Sequence, residues 1–440
     1  MEAKLRFSLA DASGKVKAMD DATAVLGQDD LVISPVSSGP QHYSLRDVAS
    51  IGEGEYRILI GLRSSDTLLL FNIGQKYDDL ARELHRSVND LELKDLLMDE
   101  KLLKQGVKGE LTVTKGGERK ALGKGEVRLY QTAMVVMPDH AELYRARFAD
   151  LDSTDVKDHV ISVRLMNGDV IEIGKLGGEM DPLRKGIMDA SADLSAQVQR
   201  MIRDAHPGAS PEGAARAARI MREGMPAGRK ELESACPGLW QGLEKKVAGT
   251  GIGEEYAYLA DLAKAGGIRI GMKRPLQTAA DEEGAQDYVF LLAPIFSMDK
   301  SKGGNAVAFE ASSGEEEGRA TYFFRIWGRN QYPKGSMETM EKEAGEFVSS
   351  VATGLNAINY RREPIYLDEE KLLAPEHARY RWAVMRIPEL RLLRERFVGR
   401  VIHSSPEQWK EDVKALLAFN VAKKDDRAKW VKSEASEPEK

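Results

Sequence analysis

The sequence predicts an α+β protein whose N-terminal half is one strand-rich module made twice. Three observations carry that expectation. Ile60–Val88, IGLRSSDTLLLFNIGQKYDDLARELHRSV, is answered about 100 residues later by Ile161–Ala190, ISVRLMNGDVIEIGKLGGEMDPLRKGIMDA. Each stretch has an apolar strand with one arginine (Arg63, Arg164), a tight turn, and a second strand ending in Ile-Gly (Ile73-Gly74, Ile173-Gly174) before a helix. Upstream, Val25–Pro35 matches Arg128–Pro138, with Gln28 over Gln131, Pro35 over Pro138 and Tyr43 over Tyr144, and the offset drifts only between 100 and 103.

Short β-branched and aromatic runs between Gly, Asp and Ser clusters predict strands near Leu5–Leu9, Thr23–Leu26, Leu31–Ser34, His42–Val48, Tyr56–Arg63 and Thr67–Asn72, with a further one at Val16–Met19. Tyr77, Leu80, Ala81, Leu84, Val88 and Leu91 then share one helical face. In the second copy Met180, Leu183, Ile187, Leu194, Val198 and Met201 do the same. Asp181-Pro182 suits that helix start, because a carboxylate caps free N–H groups and proline in the first turn forfeits no hydrogen bond.

Six or seven antiparallel strands and one amphipathic helix, in ~100 residues, describe a small barrel plugged by its helix. This resembles the pleckstrin-homology (PH-like) superfold in tandem, over residues 1–204. The resemblance is architectural, since that superfold has no invariant motif. It implies binding through peptide or protein surfaces on the barrels more often than through lipid. A tandem pair is also similar to the middle domains of histone-chaperone subunits of the FACT type, by the pairing alone.

The expected division is 1–100 and 105–204 for the two modules, 205–286 for a helical segment, 287–422 for a C-terminal α+β domain, and 423–440 for a disordered charged tail. In the helical segment, Ala214–Glu223, Arg229–Val247 and Glu254–Ala265 read as helices, with Cys236-Pro237 kinking or restarting the second. Further on, Ile268–Met272, Tyr288–Phe296, Ala306–Ala311 and Ala320–Trp327 read as strands, Ser312–Gly318 as an acidic hairpin loop, and Met337–Ile358 as a helix. Phe324–Gly328, FRIWG, echoes the strand ends of the repeats and hints at a third, degenerate copy. A final helix is expected around Pro406–Phe419.

Composition narrows the class. With 440 residues, 42% apolar and 30% charged, the chain has the balance of a globular protein, and a net charge of −6 argues against general coating of nucleic acid. Its one cysteine, Cys236, excludes an internal disulfide and fits a reducing compartment. No apolar run reaches the ~18–20 residues of a bilayer span, and MEAKLRFSLADASG lacks the apolar core of a signal peptide. The expectation is a cytoplasmic protein.

Catalytic signatures are sparse. None of the seven histidines, at 42, 85, 140, 159, 206, 377 and 403, stands four residues from another, so no zinc-type pair is expected. Cys236 has no partner cysteine, no phosphate-cradling G-x-x-x-x-G-K-[ST] occurs, and Gly249–Gly253 follows a helix rather than a strand. Ser297-Met-Asp-Lys300 matches S-x-x-K without its companion motifs. No catalytic residue, metal or cofactor is therefore predicted.

Two basic groups remain. Lys115, Arg119, Lys120 and Lys124 lie in the first hairpin loop of the second copy, where lipid-binding members of the PH family grip inositol phosphates; Glu118 intrudes among them. Arg379–Arg400 interleaves seven arginines with Tyr380, Trp382 and Phe397. Arg379, Arg381, Trp382, Arg386, Arg391 and Arg394 are the candidates there for an acidic protein, a nucleic acid or an anionic lipid. Against that, Tyr380, Val384, Ile387, Leu390, Leu393, Phe397 and Val401 form a stripe fit for burial, with arginine stems covering its flanks. The functional expectation is a non-catalytic interaction or scaffold protein using the tandem modules. The alternatives are a peripheral membrane protein using Lys115–Lys124, a histone-chaperone-like or nucleic-acid-associated factor using Arg379–Arg400, and an enzyme whose site lies between the C-terminal domain and the repeats.

Overall fold

Alternation of apolar and polar side chains draws the first seventy residues into strands. A computed structural model describes residues 1–96, 98, 100–264, 267–274, 276, 287–299, 301–312 and 319–422. The tail 423–440 and residues 313–318 of the expected acidic loop lie outside the described residues. The chain forms two compact units: one of Met1–Leu96, Glu100–Ala192 and Leu373–Met385, the other of the described parts of Asp193–Leu372 and from Arg386 on.

In the first unit β1 (Glu2–Ala10), β2 (Val16–Leu26), β3 (Asp30–Pro35), β4 (Gln41–Ser44), β5 (Val48–Gly54), β6 (Arg57–Leu62) and β7 (Thr67–Phe71) precede α1 (Tyr77–Asp95). They form one antiparallel sheet in the order β4-β3-β2-β1-β7-β6-β5. Inward residues such as Phe7, Ile33, Ile58 and Leu70 meet Leu80, Leu84 and Val88 of α1 in one core. The same plan follows in β8 (Leu102–Lys115), β9 (Glu118–Tyr130), β10 (Ala133–Pro138), β11 (Tyr144–Arg147), β12 (Leu151–Lys157), β13 (Val160–Leu165), β14 (Val170–Gly174) and α2 (Met180–Ala205), with the order β11-β10-β9-β8-β14-β13-β12.

The repeat keeps a stricter register than its sequence suggests. From the third strand to the start of the closing helix, every boundary is displaced by 103 residues, as in 30 and 133, 67 and 170, or 77 and 180. Backbones of positive φ recur at the same spacing: Glu55 and Asp158, Tyr56 and His159, Ser65 and Gly168, Asn72 and Lys175, Gly74 and Gly177. Gln28/Gln131 and Pro35/Pro138 are thus true equivalents. Arg63/Arg164, Tyr43/Tyr144 and the two Ile-Gly pairs are not. Arg63 follows β6 and donates to Asp47, whereas Arg164 lies within β13. The equivalent aspartates are Asp66 and Asp169, each tying the turn after the sixth strand to the first hairpin through Lys17 or the Gly116 N–H.

Two strand readings change. Val16–Met19 and Thr23–Leu26 are one strand, β2, and His42–Val48 is the short β4 followed by a single 3₁₀ turn at Leu45–Asp47. In the first module the strand that sequence missed, β5, is a largely exposed sheet edge without an apolar face. β10 differs from β3: it is buried on both faces, as its continuous AMVVM run requires, where β3 alternates.

The remaining elements are α3 (Pro211–Ile220), β15 (Ala227–Gly228), α4 (Arg229–Ala235), α5 (Leu239–Gly249), α6 (Gly253–Leu262), β16 (Arg269–Lys273), β17 (Tyr288–Ile295), β18 (Ala306–Ser312), β19 (Ala320–Arg325), α7 (Met337–Ala357), α8 (Glu363–Tyr366), α9 (Glu369–Leu372), α10 (Ala378–Arg386), α11 (Pro388–Arg396), β20 (Phe397–Ile402) and α12 (Pro406–Val421). As expected, Cys236-Pro237 separates α4 from α5.

β15 to β20 form an antiparallel meander in chain order, unlike the modules, where the first strand pairs with the seventh. The hint of a third copy in FRIWG therefore has no counterpart in the topology. Val289, Leu291, Ala293 and Ile295 of β17 share a core with α3–α6 and α12. On the opposite face Phe290, Phe309, Tyr322 and Phe397 join Tyr360 and Tyr366 in an aromatic cluster.

Arg379–Arg400 is not one continuous helix. Proline has no N–H and pushes the residue before it into extended backbone. Ile387, before Pro388, has φ −98° and ψ 103°, and the stretch becomes α10, α11 and the strand β20. The expected stripe is accordingly divided, Tyr380 and Val384 falling in the first unit and Ile387, Leu390, Leu393, Phe397 and Val401 in the second.

Candidate functional site

The hairpin loop of the second module does not gather its four basic residues. Lys115 pairs in register with Glu118 at the tip, flanking two glycines of positive φ. Lys120 is exposed beside it. Arg119 is taken up by Glu172, with Nε and Nη2 donating to Oε2 at 3.0 and 2.9 Å. Lys124 lies roughly 13 Å further down β9 by strand rise, opposite Glu110.

The basic stretch near the C-terminus is similarly divided. Arg379 donates to the Asp95 and Leu96 carbonyls, supplying donors to the unpaired C-terminal end of α1. Arg381 lies 3.9 Å from Asp47, and Trp382, 1% exposed, belongs to the first module's core. In the other unit Arg394 donates to the Pro364 and Leu367 carbonyls, both at 2.8 Å, and to Glu369. Arg386 is half-buried and Arg391 is exposed.

Two surfaces of the first unit emerge that sequence reasoning missed. One is a cleft of about 660 Å³, walled by α1 on one side and by β8, β9 and the end of β10 on the other. Arg82 and Arg86 of α1 face Lys108, Lys124, Arg128 and Lys175 of the second module. Hydrogen bonds span the two modules beside it: Asn89 Nδ2 donates to the Ala141 carbonyl at 3.0 Å, the Leu143 N–H donates to Asn89 Oδ1 at 3.1 Å, and Arg128 donates to Asp90 at 2.9 Å. Glu53 Oε1 completes the junction, 3.0 Å from His85 Nε2 and 3.2 Å from His140 Nδ1. Burial holds the His85 pKa below its ordinary value, against the pull of Glu53.

The other surface is a row across the outer face of the first sheet. Leu59 pairs with Leu69, Leu69 with Ser8, and Ser8 with Met19. Met19 and Leu59 are 52% and 47% exposed. At the same places the second module has Ser162, Glu172, Thr112 and Ala121, three of them polar and the fourth a single methyl. The signal for this row lay in Thr67–Phe71, apolar at every position after Thr67 where its counterpart alternates with Glu172.

The second unit holds two buried ionic hubs. Lys273, 1% exposed, donates to Glu223 at 3.1 Å and to Asn356 Oδ1 at 3.2 Å, and its ammonium lies 5.6 Å from the Tyr360 ring centroid. His403 is held between two carboxylates, Nδ1 3.2 Å from Glu255 and Nε2 2.9 Å from Glu310. Thr321 donates to Glu310 at 2.5 Å and accepts from Trp409 Nε1 at 2.9 Å. Burial opposes the charge on His403, but the hydrogen bonds of Glu255 and Glu310 outweigh it and raise its pKa from 6.5 to about 9. A pKa raised on folding stabilises in full below 6.5 and is lost as pH rises through about 9. Unfolding midpoints should therefore fall between those limits by the equivalent of roughly 3 kcal/mol. Denaturant titrations at stepped pH test this, and His403→Gln should flatten the slope.

Among the described residues no group of three or more His, Cys, Asp or Glu is arranged to hold a metal ion, and no helix is long and apolar enough to cross a membrane. Cys236 is buried, Gly249–Gly253 joins α5 to α6, and Ser297 accepts from the Asp299 N–H; Lys300 lies outside the described residues. No protein-family model matches the chain, and no curated protein is significantly similar to it.

Proposed function

We propose that the chain is a non-catalytic interaction protein whose tandem PH-like modules dock a protein partner. Support for the PH-like reading comes from seven antiparallel strands followed by one amphipathic helix, repeated with a displacement that is constant from the third strand on. The observation that carries the interaction reading is the row Leu59–Leu69–Ser8–Met19, with Leu59 and Met19 exposed at its two ends and Leu69 half-buried, where the second module has Ser162, Glu172, Thr112 and Ala121. An exposed apolar row beside charged side chains marks an interaction surface.

Its rim indicates the partner's chemistry. Arg6, beside Phe71 in the next register, and Arg57 are exposed and only loosely paired, 4.0 Å from Asp21 and 3.9 Å from Glu55. A protein surface offering apolar side chains next to carboxylates fits. The test is photo-crosslinking from position 19 in the native organism, followed by calorimetry with the identified partner. Met19→Glu with Leu59→Glu should weaken that partner by at least about tenfold, while Ser162→Glu should leave it unchanged. A partner indifferent to the double variant would overturn the reading. So would salt-sensitive binding of anionic vesicles through Lys115 and Lys120 in place of any protein.

A further inference from the structure

The cleft between α1 and the second sheet has a charge arrangement that the interaction reading does not use. Its floor is the outward face of β8 and β9, where Lys108 stands opposite Glu126 and Glu110 opposite Lys124. Lysines thus occupy one diagonal of a four-residue checkerboard and glutamates the other. Diagonal neighbours on antiparallel strands lie about 7–8 Å apart, so both lysine side chains are long enough to reach one ligand group above the floor.

The glutamates are already satisfied from elsewhere. Lys175 donates to Glu110, and Arg128 donates to Glu126 through Nε and Nη2 at 2.9 and 3.0 Å. The Gly106 N–H adds a third donor to Glu126 at 2.8 Å. On the roof Arg82 is paired with Asp79 at 2.6 Å, while Arg86 stands 3.8 Å or more from its nearest carboxylates. The Lys108 and Lys124 ammoniums have no ion-pair or hydrogen-bond partner among the described residues. Six cationic side chains line the cleft against four carboxylates, and Met137 and Pro138 give it an apolar wall.

Two like charges held on one diagonal repel, and a dianion placed between them removes that cost while making charge-assisted hydrogen bonds to both. A cavity of about 660 Å³ also has the capacity for a small organic ligand. We propose that this cleft binds a ligand carrying a phosphate group, the phosphate held between Lys108 and Lys124 with Arg86 above it and the organic part against Met137 and Pro138. The site needs both modules, since α1 supplies the roof and β8 and β9 the floor.

Calorimetric titration of the full chain tests it with four probes: inorganic phosphate, pyrophosphate, O-phosphoserine and a phosphoserine pentapeptide. Saturable binding of at least one probe is expected, weakening with added salt. Lys108→Gln with Lys124→Gln should weaken it by at least about tenfold. Both side chains are exposed, so an unchanged unfolding midpoint should show that the variant is folded. Lys115→Gln with Lys120→Gln, at the distant hairpin tip, should bind as the parent does. If the pentapeptide binds more tightly than free phosphoserine, the phosphate comes from a modified protein; if inorganic phosphate or pyrophosphate binds tightest, it comes from a small molecule. Absence of saturable binding by all four probes, or equal binding by the Lys108/Lys124 variant, overturns the proposal. Neither result bears on the Met19–Leu59 row, which is tested separately.

Discussion

Trp382→Ala is expected to destabilise the first unit by about 3–5 kcal/mol, the range for removing a large aromatic side chain from a packed interior. The indole is 1% exposed and sits in the core formed by β1–β7 and α1, against which Met385 also packs. Arg379, one turn earlier on α10, donates to the Asp95 and Leu96 carbonyls and so holds α10 at the end of α1. Removing the indole leaves a cavity that this anchored helix cannot collapse to fill. Trp382→Phe retains most of the volume and should cost less than half as much. Denaturant unfolding followed by hydrogen exchange in β1 and α1 measures both. An alanine variant whose exchange protection in α1 matches the parent would refute the packing argument.

Lys273→Ala should cost a similar amount, about 3–5 kcal/mol, because it strips a half-buried carboxylate and a buried amide of their cation. Lys273 ends β16, Glu223 lies in the loop after α3, and Asn356 is in the last turn of α7, so one ammonium ties together three parts of the second unit. Asn356 also donates to the Gly224 carbonyl at 2.9 Å, and Tyr360 O–H donates to the same carbonyl at 2.7 Å. Gly224 has φ +68°, and a Cβ there would stand 2.4 Å from Asn356 Oδ1. The double replacement Lys273→Met with Glu223→Leu should recover much of the loss, since no charge is then left unpaired. A double variant no more stable than Lys273→Ala would show that the hub acts through shape rather than charge.

How far these features were legible in the sequence depended on whether their cause was local. The closing helices were readable because Leu80, Leu84 and Val88 must share a face whatever else the chain does. The duplication was readable too, but its register was not. Ile-Gly recurs at 73 and 173 by coincidence, whereas the residues whose positions are truly shared, Asp66 and Asp169, are ordinary turn aspartates. β5 escaped because an exposed edge strand has no apolar side to alternate. Lys124 was visible as a basic residue, yet Lys108, Lys175 and Arg86 meet it only through pairing and helix packing. Pro388 was the readable sign that Arg379–Arg400 would break, although nothing near Trp382 indicates that its destination lies some 300 residues upstream.

That last distance has a consequence for synthesis. A ribosome releases β1–β7 and α1 long before it reaches codon 382, so the nascent module has to wait with a gap in its interior. Truncations ending between α2 and α10 should therefore leave the N-terminal module sticky and chaperone-bound, and adding the peptide 373–386 in trans should restore its solubility.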